Sequence, residues 1–187
     1  SSGTSVLKTF RLALSCTGEY AQYFGGSNAT KANALSGMNA TWTRCNGIFE
    51  KDLAVKLLLI GNNDLIVYTD PDTDPYSDAE IGVDESNSNN TNGWNLQLQN
   101  NLTNTIGNAA YNLGHLFGAS GGGGNSGCIG CVCNDDTSST TDKNKGSAFT
   151  SPADAIPEGD TFDIDFAIHE FGHQLGASHT FSHSYEG

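Results

Sequence analysis

Positive charge is scarce in this sequence. Eight Lys and Arg stand against 21 Asp and Glu, a formal net charge of -13 over 187 residues. A surface of that sign repels phosphate backbones, which argues against nucleic-acid binding. Long apolar runs are missing too. The longest, AVKLLLI at residues 54–60, is far short of a bilayer span and suits a buried strand. No segment repeats and no linker divides the chain, so one domain is expected over residues 1–187. The opening SSGTSV carries no signal sequence, as in an exported chain after processing.

Cysteine is sparse and odd in number: Cys16, Cys45, Cys128, Cys131 and Cys133. One is left unpaired, or paired outside the chain. Disulfides in a secreted, extracellular protein are the preferred reading, with Cys16 joined to Cys45 and one pair inside the CIGCVC cluster.

What is present is a sufficient core, with 36% hydrophobic residues, and an alternation of strand and helix patterns. Residues 7–16 alternate as a strand, with Phe10, Leu12 and Leu14 on one face. A helix with Asn28 as N-cap follows, carrying an apolar stripe through Leu35, Trp42, Cys45 and Phe49. AVKLLLIG, with its continuous apolar character, reads as a strand buried on both faces. LIVYT reads as a short strand, and DPDTDPYSDAE as a loop. Leu98, Leu102 and Ile106 mark a second helix. AYNLGHLFGAS reads as a strand, and residues 121–151 as a long irregular stretch. A last helix follows, with Asp160 or Thr161 as its cap and the early acids Asp163 and Asp165 suiting its positive end. The expected class is α/β.

The chemistry concentrates in HEFGHQLGASH, residues 169–179. His169 and His173 are four apart, one turn on one helix face, and can reach one metal ion. Glu170 is not needed as a ligand and can stand beside an open coordination position as general base. His179 lies six residues beyond His173, so the helix must break, and Gly176 sits where the bend belongs. Three imidazoles and an open position form the catalytic zinc pattern; a closed four-ligand shell forms the structural one. A carboxylate such as Glu170 has no use in a merely structural site. The rival reading is a non-catalytic zinc-containing adhesion or binding domain.

The motif resembles the zinc-binding motif of the metzincin endopeptidases. The wider GDTFDIDFAIHEFGHQLGASHTF resembles the bacterial reprolysin-like, adamalysin-related metallopeptidases, as do FRLALSCTGEYAQYFGG, LIVYTDPDTDPY and IGNAAYNLGHLFG. HTF at residues 179–181 is similar to the pappalysins, the second choice. The resemblance implies a metzincin-type upper subdomain: a twisted mixed β-sheet, two long helices and an active-site helix. It also implies a peptide or protein substrate laid along an edge strand, expected within residues 121–134. Metzincins carry a Met-containing turn beyond the third histidine, whereas the single methionine here is Met38. A C-terminal fragment of the same precursor is therefore expected as a partner.

Weaker signals remain. Asp70, Asp72, Asp74, Asp78 and Glu80 form an acidic loop that could take calcium, although Pro75 and Ile81 break the EF-hand pattern. CIGCVC lacks a second ligand pair for a zinc site. GASGG matches a hydrolase elbow by composition alone. His115 is expected in or beside a strand, and His183 in a solvent-facing tail.

Overall fold

The computed structural model describes residues 6–86, 92–137 and 142–180. His183, Phe181 and most of the polar loop after Ser86 lie outside them. Five strands form one sheet: β1 (Lys8–Cys16), β2 (Val55–Leu59), β3 (Leu113–Phe117), β4 (Gly123–Asn125) and β5 (Ala148–Ser151). Their order is β2-β1-β3-β5-β4, with β4 antiparallel and every other pairing parallel. This is the mixed α/β sheet expected. One of the two edge strands, β4, lies within residues 121–134.

Helices cover both faces, as parallel strands require. Leu12, Leu14 and Cys16 of β1 pack with α1 (Gly18–Gly25), α2 (Lys31–Leu53) and Phe162, Ala167 and Phe171 of the terminal helix. Ala13, Leu116 and Phe149 pack oppositely, against Trp94, Leu98 and Leu102 of α4 (Trp94–Thr105). The period-2 pattern of β1 thus sorts its residues between two cores.

Several expectations are corrected. Thr30, not Asn28, caps α2, in a reciprocal capping box with Asn33. Residues of LIVYT form a 3₁₀ turn (Asn63–Ile66) and a single bridge from Val67 to Cys16 instead of a strand. Two short helices, α1 and α3 (Ala79–Ser86), stand where no helix was read.

β2 is an edge strand with Leu58 42% exposed, so its apolar run is not buried on both faces. Its outer side is closed from α2. Asn46 accepts from the Leu57 N–H and donates to the Leu57 carbonyl, both at 2.8 Å. Trp42 Nε1 donates to the same carbonyl at 3.0 Å. Two side chains stand in for a neighbouring strand and blunt the edge.

Cys16 and Cys45 are not bonded to each other. Both are free and buried, and burial pushes each thiol up to about 12. The bond within the cluster joins Cys128 to Cys131, leaving Cys133 free and exposed.

Candidate metal centre

The terminal helix begins with a wide π-helical segment (Thr161–Ala167) and tightens into α5 (Ile168–Gln174). Asp163 stands in its first turn, at the positive end, as expected. It is buried and accepts from Thr41 Oγ1 and Arg44 Nη1, each at 2.6 Å, tying the segment to α2. No side-chain cap forms at Asp160, which pairs with Arg44 instead.

The helix ends as glycine dictates. Gly176 has φ 109°, its N–H donates to the His173 carbonyl, and the Ala177 N–H donates to the Gly172 carbonyl. These two bonds make a Schellman turn. The turn has a second effect: the Ala177 carbonyl comes back to His173 Nδ1 at 2.6 Å. A carbonyl only accepts, so Nδ1 carries the proton and Nε2 presents a lone pair.

Three Nε2 atoms converge. His169 and His173 are 2.9 Å apart, His169 and His179 3.1 Å, and His173 and His179 3.2 Å. Among the described residues this is the only group of three His, Cys, Asp or Glu donors brought to a common point. A tetrahedral shell with zinc–nitrogen distances of about 2.0–2.1 Å separates its nitrogens by about 3.3 Å. The triad fits such an ion, and crowding three imidazole nitrogens so closely is costly without one. Burial and the two neighbouring histidines lower the pKa of His169, which favours the neutral ligand form.

Glu170 stands at the wall of the same pocket, 7% exposed. Burial lifts its carboxyl to about 7, against the pull of His173 and of the Ser126 N–H that donates to it. The pocket encloses about 480 Å³, and Asn125, Ser126, Ile129, Asp165 and Phe166 complete much of its wall. Gly130 N–H donates to the His173 carbonyl at 2.9 Å, which docks the disulfide loop on the end of α5.

His115, in β3, lies outside the triad and is fully buried. Its Nδ1 meets Gln174 Oε1 and its Nε2 meets Thr150 Oγ1, both at 2.8 Å, while Gln174 Nε2 donates to the Gly114 carbonyl. This network pins the back of α5 to the sheet centre. Sequence reading named His115 but missed Gln174, whose place beside His173 was the available signal.

The acidic loop does not gather around a cation. Asp74 accepts from the Gly18 and Tyr76 backbone N–H groups, and Asp70 from that of Asp72. Calcium therefore gains no support.

None of the curated proteins compared with the chain is a match. A family model does match: metallo-peptidase family M12B, reprolysin-like, over residues 6–187. The match spans every strand and helix described above, and it lends nothing to the pappalysin alternative. The chain belongs to the reprolysin-like metallopeptidases of family M12B, a family of zinc-dependent peptidases.

Proposed function

We propose that the protein is a secreted zinc endopeptidase that hydrolyses internal peptide bonds of protein substrates. The observation that carries this reading is the convergence of His169, His173 and His179 Nε2 in one pocket with Glu170. The three histidines hold the zinc and Glu170 is the general base. Bound zinc supplies an acidified water and a polarised carbonyl. Glu170 takes a proton from the attacking water as the new C–O bond forms. The same proton passes to the amine nitrogen as the C–N bond breaks.

The substrate chain adds to the sheet along β4. β4 is the terminal strand of the sheet order, and Gly124 and Asn125 line the pocket. The opposite edge, β2, is closed by Asn46 and Trp42. Among the described residues β4 is the sheet edge that borders the pocket, and it leads an extended peptide to Glu170.

The test is cleavage of an unfolded protein by the zinc-loaded chain and by Glu170→Ala, followed by mass spectrometry. We expect internal cuts by the former and a loss of about 10²–10⁴-fold in rate for the latter. Zinc and peptide binding without cleavage would overturn the reading in favour of a non-catalytic adhesion or binding module. Hydrolysis of short esters alone would favour a small-amide or ester hydrolase.

A further inference from the structure

The geometry points to Gly124 as a positioning residue for Glu170: the side chain it lacks is the space that the Glu170 carboxyl occupies. This inference rests on the role proposed for Glu170. A Cβ built on Gly124 would lie 2.6 Å from Glu170 Cγ, 2.6 Å from Oε1 and 2.8 Å from Cδ. Contacts under 3.0 Å are not sustained, so something must move.

Backbone conformation does not explain the glycine. Gly124 does not have a positive φ, and it sits in regular register opposite Thr150. Any L-residue can adopt an antiparallel strand geometry. The requirement is for room.

The elements around the contact decide what would yield. β4 is held by pairing with β5. α5 is held by fully buried Phe171, by Gln174 on the Gly114 carbonyl, and by Gly130 N–H on the His173 carbonyl. The Glu170 side chain is the soft partner. Its relief is rotation, which moves the carboxyl from its place at the pocket wall. The edge strand thus has two jobs at adjoining residues. In the role proposed above it receives the substrate backbone, and through Gly124 it sets where the base stands.

Gly124→Ala in the full chain tests this. Zinc affinity, read by chelator competition, is expected to stay within about threefold, because no histidine is displaced. The turnover number kcat is expected to fall at least about tenfold, as a general base moved off its proton does, with KM changed less than twofold. A loss confined to KM would show that the glycine serves substrate approach instead, and would overturn the inference. So would unchanged kcat.

A stability cycle gives a readout free of activity. Gly124→Ala is expected to lower Tm by about 5 °C in the wild-type background, as overpacking does, and by almost nothing in the Glu170→Ala background. Equal losses in both backgrounds would overturn the inference. If Gly124→Ala does not fold, the double variant with Glu170→Ala is expected to fold, and its failure would overturn the steric account. Should the wild-type chain cleave nothing, the peptidase reading falls while the cycle still decides the contact.

Discussion

Acid should loosen this fold through one buried histidine. His115 is fully buried between Gln174 and Thr150, with its ring centroid 4.2 Å from that of Phe171. Gln174 offers its oxygen, so Nδ1 donates there and Nε2 accepts from the Thr150 hydroxyl. Neutral imidazole satisfies both partners; imidazolium would have to donate to the Thr150 oxygen, and the hydroxyl's own proton would lose the ring as its acceptor. Burial lowers its pKa from 6.5 to about 4, against a small opposing effect of Gln174. Between those values the unfolded chain binds a proton that the folded chain refuses. Stability is therefore full above pH 6.5, is lost as the pH falls toward 4, and levels off below. The whole shift is worth about 3 kcal/mol, and the part lost between pH 7 and pH 5 about 2 kcal/mol. The assay is urea unfolding at both pH values with saturating zinc, for the wild type and His115→Gln. The proton linkage of zinc binding is common to both and cancels. His115→Gln is expected to be less stable at pH 7 but to lose about 2 kcal/mol less between pH 7 and pH 5. Equal losses would refute the reasoning.

Other expectations follow from single contacts. Gly176→Ala forces a side chain into a φ of 109°, and is expected to cost about 1 kcal/mol or more and to weaken zinc binding, read by chelator competition. Arg44→Ala strips one partner from buried Asp163, and a lower midpoint in chemical unfolding is expected, while Thr41 keeps its bond to the carboxylate. Thiol titration should find Cys133 reactive in the native chain, and Cys16 and Cys45 as well only after denaturation. A bond between Cys16 and Cys45 would instead leave a single thiol under both conditions.

The parts of the site legible in the sequence are those whose spacing has one geometric meaning. His169 and His173 share a helix face because four residues make a turn, and Gly176 had to bend the chain for His179 to return. β1 was legible because its alternation sorts Leu12 and Leu14 from Ala13. β2 was misread because LLLI looks the same at an edge as at a centre. Only α2, supplying Asn46 and Trp42, reveals which it is. The LIVYT segment has strand composition, yet Asn63 spends its amide on both backbone groups of Leu14, which suits a turn. Asp163 was read from local charge, but its partners lie more than a hundred residues away. Cysteine pairing does not follow from composition, and the buried Cys16 and Cys45 show why: a free thiol is also a small apolar filler. Gly124 lay in a run of four glycines, and nothing local marks the one whose missing Cβ matters.

X-ray absorption at the zinc edge, on the protein loaded with one equivalent of zinc, tests the central claim most directly. Three imidazole nitrogens and one further light atom, all at about 2.0–2.1 Å, are predicted. A sulfur shell at about 2.3 Å, or a fourth protein ligand closing the site, would contradict a catalytic three-histidine centre.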